Sequence, residues 1–243
     1  MNILSIGNSF SEDATRYLHE IARADGEILN TANLYIGGCS LETHYKNMIS
    51  GDRAYELQYN GQNTGFFVSL DDALQNRSWD VVTIQQVSHL SFNTETYYPY
   101  VDFLADHIRE KLPDAKLFLH QTWAYEEGSD RLLNIARYPD PENMLCDIIK
   151  ANDEVAQHIR ADGIIRSGEL FGLLRRNGFE GLHRDTFHAS LGVGRYALAL
   201  LWYSTVSKRK THENLLCYFD DIVEQKDVER IVNIVNSVKV KHT

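Results

Sequence analysis

The sequence predicts an α/β protein: a doubly wound (flavodoxin-like) three-layer sandwich with a mainly parallel five-stranded sheet. Short apolar runs recur along the chain, and segments with helical periodicity separate them, which is typical of a parallel sheet covered by helices on both faces. The chain has 243 residues, 43% of them hydrophobic, which is enough to bury one substantial core. We therefore expect residues 1–243 to form a single domain.

Five short apolar runs are the predicted strands. They cover residues 2–6, 32–36, 81–84, 116–119 and 163–166. In open sheets of this kind, ligands bind beyond the carboxyl ends of the strands, where loops converge. Functional residues are therefore expected directly after these runs.

Eight segments have helical periodicity. In the first of them, Ser11 with Glu12 and Asp13 behind it predicts a capped helix start. The segments are 11–24, 41–49, 70–75, 96–111, 141–161, 169–176, 190–207 and 226–240.

The overall charge limits the partners. The formal net charge of −10 makes nucleic acid and anionic membranes unfavourable partners and suits a neutral or cationic small substrate better. No apolar stretch approaches the roughly 20 residues that span a bilayer, and no signal peptide is recognisable. We expect a soluble protein, cytoplasmic as the sequence stands, or periplasmic or secreted if an export signal has been removed.

The cysteines and glycines give no sign of a cofactor. Cys39, Cys146 and Cys217 are widely spaced and form no Cys-x-x-Cys pair, which predicts reduced thiols and neither a disulfide framework nor a zinc site. The glycine patterns of dinucleotide-binding and phosphate-binding loops are also missing. We expect no cofactor and no metal.

Ser9 follows the first predicted strand, within Gly7-Asn8-Ser9-Phe10-Ser11. A serine in a tight turn between a strand and a helix has an exposed hydroxyl at the positive end of the helix dipole, as a nucleophile needs. Ser9 could also be only a helix cap. Ser11 is the better cap, however, which leaves Ser9 available as a nucleophile.

The second and third strands end in residues that could bind an oxyanion. Gly37 and Gly38 form a turn whose backbone N–H groups suit that role, although an ordinary strand-to-helix turn would use the same residues. Gln85 and Gln86 follow the third strand and could donate amide hydrogens, or could satisfy loop backbone instead. His89 lies in the same loop.

Two other strand-end residues have alternative interpretations. Cys39, with His44 nearby in the sequence, is a rival nucleophile, although a cysteine in such a turn is more often simply small and buried. Trp123 follows the fourth strand and could line a substrate pocket or belong to the core.

Asp185 stands three residues before His188, ahead of a long apolar helix. From that position its carboxylate can accept the Nδ1–H of His188 and leave Nε2 free as a general base. A capping role for Asp185 or Ser190 competes with this interpretation. A metal site of His183, Asp185 and His188 is a further alternative, but the usual metal-ligand spacings are missing.

The order of these motifs along the chain resembles that of the SGNH, or GDSL-like, hydrolase superfamily. Its first block, usually Gly-Asp-Ser, corresponds to Gly7-Asn8-Ser9 and implies Ser9 as nucleophile and as an oxyanion-hole donor through its own N–H. Its second-block glycine corresponds to Gly38, another oxyanion donor. Its last block corresponds to Asp185 and His188, as acid and base.

Two positions depart from the superfamily pattern. Asn8 replaces the usual aspartate beside the nucleophile. The Gly-x-Asn of the third block is missing, so another side chain must supply the third oxyanion donor. Gln85 and Gln86 are the first choices for this donor, and His89 is the third.

More narrowly, the sequence resembles a bacterial branch of SGNH-like domains with no established substrate, whose relatives include carbohydrate acetylesterases. The resemblance implies a Ser-His-Asp esterase acting on a small-molecule or oligosaccharide ester, most simply an O-acetylated carbohydrate. His89 and Trp123 are the expected substrate-binding residues, and the aromatic residues that could help to stack on a sugar ring are Tyr97, Tyr98 and Tyr125. The alternatives are a non-catalytic carbohydrate-binding SGNH-like domain, which the changed third block would fit, and a metal-dependent hydrolase.

Overall fold

A computed structural model describes residues 1–212 and 219–240. Seven strands in these residues form one sheet: β1 (Asn2–Gly7), β2 (Asn30–Tyr35), β3 (Tyr55–Tyr59), β4 (Gln62–Val68), β5 (Val81–Ile84), β6 (Lys116–His120) and β7 (Gly163–Ile165). Their order is β4-β3-β2-β1-β5-β6-β7. The five strands from β2 to β7 in this order are parallel and correspond to the five predicted runs. This is the flavodoxin-like arrangement, so the predicted fold class is confirmed.

The sheet has two strands that were not predicted. β3 pairs antiparallel with β2, and β4 pairs antiparallel with β3 at the edge of the sheet. Most side chains of β4 are exposed, and those of β3 are mixed in burial, so neither strand forms a continuous apolar run. The sheet is therefore mixed and seven-stranded, while its parallel part matches the prediction.

Nine α-helices occur in the described residues: α1 (Ser9–Thr15), α2 (Leu18–Ala24), α3 (Leu41–Ser50), α4 (Leu70–Gln75), α5 (Tyr100–Lys111), α6 (Pro141–His158), α7 (Ser167–Arg176), α8 (Val193–Ser207) and α9 (Gln225–Val240). The first predicted helix is two helices, and the fourth is a 3₁₀ turn at Thr94–Tyr97 followed by α5. A π-helical segment covers Arg131–Ala136.

The helices cover both faces of the sheet. Because successive side chains of a strand point to opposite faces, Ile3 packs with α1, α2, α8 and α9, whereas Leu4 and Ile6 pack with α3, α4 and α5. α8 is buried on almost all sides, which explains its nearly continuous apolar sequence. Within the described part of the chain, no helix has the length and apolar character needed to cross a bilayer.

The cysteines that the structure describes carry free thiols. Cys39 is buried and Cys146 is exposed. Cys217 lies outside the described residues.

Candidate active site

Ser9 is the first residue of α1, and Asn8 alone separates it from β1. The residue that caps this helix is Asn8, whose side chain accepts the N–H of Phe10 at 3.0 Å. The predicted cap, Ser11, instead lies buried within the first turn and donates from Oγ to Gln85 Oε1 at 2.5 Å. The helix thus starts two residues earlier than predicted, because the amide oxygen of Asn8 satisfies its first free N–H.

Gly7 makes this turn possible. A Cβ built on it would lie 2.0 Å from Ser11 Oγ and 3.2 Å from the Gln85 side chain. Only glycine leaves space here for the hydrogen bond between Ser11 and Gln85, next to the turn that carries Ser9.

Asp185, His188 and Ser9 form a continuous chain of hydrogen bonds. Asp185 Oδ2 lies 2.7 Å from His188 Nδ1, Asp185 Oδ1 accepts the backbone N–H of His188 at 2.9 Å, and His188 Nε2 lies 2.8 Å from Ser9 Oγ. Burial raises the pKa of Asp185, but the hydrogen bonds from His188 outweigh this effect and the pKa is lowered overall. An ionised Asp185 keeps the Nδ1 proton of His188, so the Nε2 lone pair faces the serine hydroxyl.

The segment 183–189, here called the acid–base loop, is fixed by backbone contacts. Arg184 N–H donates to His188 O at 3.0 Å across the loop, and Glu126 N–H donates to Thr186 O at 2.8 Å. Thr186 has a left-handed backbone with φ of 75°, which bends the chain between Asp185 and His188. The loop geometry therefore places the carboxylate against the imidazole.

Trp123 does not line the cleft that contains Ser9 and His188, which corrects its predicted substrate-binding role. Its ring is fully buried, stacked on Phe10 with centroids 4.1 Å apart, and its Nε1–H donates to Phe187 O at 2.8 Å. Since Phe187 belongs to the acid–base loop and Phe10 follows Ser9, this tryptophan contacts both the segment that carries Ser9 and the segment that carries His188.

Asp13 ties α1 to the acid–base loop and was missed by the sequence analysis. Its side chain is 0% exposed and forms ion pairs with Arg184 at 2.8 Å and with Arg195 at 2.9 Å. It also accepts the N–H of Ala189 at 3.0 Å. The apolar spacing of Phe10 and Ala14 places Asp13 on the buried face of α1, and this acidic residue on a buried face was the available signal.

Ser9 and Gly38 line the same cleft and, within the described residues, have backbone N–H groups without a protein acceptor. In residues 1–212 and 219–240, neither Ser9 N–H nor Gly38 N–H donates a hydrogen bond to protein. Gly38 has φ of +64°, and Asn8 Nδ2 donates to Cys39 O at 3.0 Å, which holds this glycine turn next to Ser9. These N–H groups can bind the oxyanion of a tetrahedral intermediate.

The side chain of Gln85 is buried and forms hydrogen bonds within the protein core next to Ser9. Its Nε2 donates to Asn8 Oδ1 at 2.6 Å, and its Oε1 accepts from Ser11 Oγ and from His120 Nδ1 at 2.7 Å. Burial lowers the pKa of His120 to about 3, so the ring is neutral. Gln85 thus joins the ends of β1, β5 and β6 and does not line the pocket.

Gln86 also points away from Ser9. Its Oε1 accepts the N–H groups of Leu41 at 3.1 Å and Val87 at 2.9 Å, and its Nε2 donates to Thr96 O at 2.8 Å. The structure therefore does not bring either glutamine into the predicted oxyanion hole. Of the third-block candidates, only His89 is exposed and lines the pocket.

Replacement of Gln85 or Gln86 by alanine is expected to lower the free energy of unfolding by about 1–3 kcal/mol, because buried partners lose their hydrogen bonds. Ester turnover per folded molecule should fall far less than the about 10²–10³-fold that loss of an oxyanion donor causes. Thermal melts and kcat at 25 °C measure the two effects. Gln157→Ala, on the exposed side of α6, is the control, and a turnover loss near 10³-fold with unchanged stability would contradict this expectation.

Cys39 is poorly suited to be the rival nucleophile. Its side chain is buried, and burial raises the pKa of its thiol to about 12. Its neighbour His44 lies 3.5 Å away through Nδ1, but burial lowers the pKa of that ring to about 3. A protonated thiol beside a neutral, buried imidazole is not activated.

The described hydrogen bonds do not join the His183 ring to Asp185 or His188. His183 Nε2 lies 3.1 Å from the carbonyl oxygen of Ala124, and burial lowers the pKa of its ring to about 4. Within the described residues, no group of three or more His, Cys, Asp or Glu side chains is arranged to hold a metal ion.

Ser9 and His188 open into a cleft of about 400 Å³. The aromatic residues expected around it are elsewhere: Tyr97 and Tyr125 are buried, and Tyr98 packs edge-on against His158. The residues that line the cleft are Asn8, Ser9, Phe10, Glu12, Tyr35, Gly37, Gly38, Val87, Ser88, His89, Arg131, Arg184, Phe187 and His188.

The fold recurs in proteins of known structure. A DUF4886 family protein from Bacteroides uniformis is 30% identical, with a TM-score of 0.89, over 99% of this chain and 95% of that chain. A proposed SGNH hydrolase from Slackia heliotrinireducens is 23% identical, with a TM-score of 0.61, over 84% of this chain and 98% of that one. A carbohydrate esterase family 3 protein from Talaromyces cellulolyticus is 12% identical, with a TM-score of 0.57, over 86% and 97% of the two chains.

The last two similarities show a shared fold, and the expected resemblance to SGNH and GDSL-like proteins is confirmed. No curated protein is significantly similar to this chain. The sequence matches the family described as "Domain of unknown function (DUF4886)" over residues 2–235. The chain therefore belongs to the DUF4886 family.

Proposed function

We propose that this protein is a serine hydrolase of carboxylic esters. The observation that carries the proposal is the hydrogen-bonded chain from Asp185 through His188 to Ser9, next to the unpartnered N–H groups of Ser9 and Gly38. A nucleophile, an oriented base and oxyanion donors in contact with one cleft are the parts that acyl transfer needs.

In the proposed mechanism, His188 Nε2 removes the proton from Ser9 Oγ as this oxygen attacks the ester carbonyl. The negative charge that develops on the carbonyl oxygen is held by the N–H groups of Ser9 and Gly38. His188 then donates its proton to the leaving alcohol, and an acyl-serine remains. Water, deprotonated by the same imidazole, attacks the acyl group and releases the acid and free Ser9.

Acetyl or another short acyl group on a carbohydrate is the proposed substrate. A cleft of about 400 Å³ is large enough for an acylated monosaccharide. The carbohydrate esterase family 3 protein with the same fold fits this class of substrate. The support comes from fold and cleft size, since the aromatic residues expected to stack on the sugar are buried or, like Tyr98, pack elsewhere.

A fluorophosphonate probe tests the nucleophile directly, because its phosphorus is attacked by an activated serine hydroxyl with loss of fluoride, which leaves a stable adduct. We expect one adduct per molecule, located on Ser9 by mass spectrometry of peptides, and none with Ser9→Ala. Ser40→Ala, which changes the cap residue of α3, should label like the wild type. Absence of any adduct would favour the non-catalytic binding domain, and an adduct on another residue would refute the assignment of Ser9.

A further inference from the structure

The cleft contains a guanidinium with no carboxylate partner. Arg131 begins the π-helical segment and lines the cleft. Its Cζ lies 3.6 Å from the ring centroid of Phe187, and that ring lies 3.8 Å from the ring of His188. Across residues 1–212 and 219–240, Arg131 forms no ion pair, whereas the other cleft arginine, Arg184, is bound to buried Asp13.

The Phe187 ring contacts both the Arg131 guanidinium and the imidazole of His188. A cation stacked on an aromatic face is attracted to the ring, and its N–H groups can still donate at its edge, as Arg131 does to the Tyr125 hydroxyl. The guanidinium also affects its neighbours. Burial, and then Arg131, lower the pKa of His89, and Arg131 opposes the rise in the pKa of Tyr125 that burial causes.

The carboxylate of the cleft lies on another wall. Glu12 is close to Tyr35, whose pKa it helps to raise after burial, and its Oε1 accepts from Gln58 Nε2 at 2.7 Å. The cleft is therefore divided in charge, with Glu12 on the β2–β3 side and Arg131 on the side of His89 and Phe187.

We propose that Arg131 binds a carboxylate on the alcohol part of the ester, so that the substrate is an acylated acidic sugar such as an O-acetylated uronic acid. The inference rests on the proposed ester hydrolysis. His188 Nε2 must donate its proton to the leaving alcohol, so the alcohol lies on the imidazole side of the cleft, where Arg131 stands. A planar guanidinium also matches a carboxylate with two parallel hydrogen bonds.

The proposed substrate charge differs from the one that the net charge of −10 suggested. The net charge describes the field far from the protein, and salt screens it within about 10 Å. A bound substrate responds most to the charges that line the cleft, and on the side of His89 and Phe187 the charged lining residue is Arg131.

Two esters that differ in one group test the inference: mono-O-acetyl methyl glucuronoside and mono-O-acetyl methyl glucoside, acetylated at the same hydroxyl. We expect wild-type kcat/KM to be at least about tenfold higher for the acidic ester, as a charge-assisted hydrogen bond supplies. In Arg131→Gln the ratio of kcat/KM for the acidic ester to kcat/KM for the neutral ester should fall towards one, mainly because KM for the acidic ester rises. Arg131→Lys should keep part of the preference for the acidic ester. Arg23→Gln, an exposed site with the same charge change, should leave the ratio unchanged.

A second experiment tests the subsite without turnover. Unacetylated methyl glucuronoside is titrated into the Ser9→Ala variant, and its binding is measured from NMR spectra. Binding should require Arg131 and weaken as salt is added. Hydrolysis of p-nitrophenyl acetate with neither acidic preference nor glucuronoside binding would overturn the subsite alone. Binding that depends on Arg131, with no hydrolysis of any ester, would overturn the proposed hydrolase. If no ester is hydrolysed and the glucuronoside does not bind, both proposals are overturned.

Discussion

Replacement of Ser9 by alanine is expected to lower kcat for p-nitrophenyl acetate by roughly 10⁴–10⁶-fold. The hydroxyl lies 2.8 Å from His188 Nε2, and nothing else in the cleft supplies an activated nucleophile in its place. His188→Ala should cost about as much, and the double variant should be little slower than either single one, because the two residues act as a unit.

The measurement is the rate of p-nitrophenol release. Thermal melts check that each variant has the wild-type melting temperature, so that a lower rate does not reflect unfolding. Ser40→Ala serves as the matched serine replacement, since Ser40 caps α3 and does not line the cleft. Equal rates for wild type and Ser9→Ala would end the serine-esterase interpretation. Losses in Ser9→Ala and His188→Ala that multiplied in the double variant would contradict their action on one proton.

Replacement of Asp13 by asparagine is expected to lower the free energy of unfolding by about 3–5 kcal/mol. The fully buried carboxylate pairs with Arg184 and Arg195, and removal of its charge leaves Arg184 facing a neutral amide and Arg195 paired with Asp220 alone. Asp13 also holds Ala189 N–H, at the end of the acid–base loop. We therefore expect kcat to fall more than KM rises, because the position of His188 depends on this contact.

Urea unfolding of the wild type and Asp13→Asn gives the stability difference, and steady-state kinetics give the split between kcat and KM. Glu42→Gln removes one carboxylate from the exposed Glu42–Lys46 pair and should leave the unfolding midpoint unchanged. If Asp13→Asn and Glu42→Gln unfold at the same urea concentration, the buried ion pairs of Asp13 do not stabilise the protein.

The parallel part of the fold could be predicted from local sequence. Strands buried on both faces are continuous apolar runs, and helices between them keep one apolar stripe, so each element leaves its own periodic pattern. The hairpin of β3 and β4 leaves no such pattern, because the described side chains of β4 are largely exposed. Its pairing with β2 is a tertiary contact between strands.

The candidate site was predictable to the extent that it follows strand ends. Ser9 and Gly38 follow β1 and β2, and parallel strands bring their carboxyl ends to one edge of the sheet. Asp185 and His188 are three residues apart, so their contact is local. The sequence thus indicated which residues meet, and the structure places Ser9 and His188, 179 positions apart, in hydrogen-bond contact.

The roles of Gln85, Trp123 and Asp13 were decided only by the tertiary structure. An amide, an indole or a carboxylate can serve either a cleft or a core, and the choice depends on partners far away in the chain. Gln85 forms a hydrogen bond with Asn8, Trp123 with Phe187, and Asp13 with Ala189. The sequence by itself determined that Ser9 and Gly38 follow strands and that Asp185 can contact His188, because periodicity, turns and short spacings are local. The tertiary structure decided which buried polar groups hold these residues, because a buried polar group must be paired and its partner is set by packing.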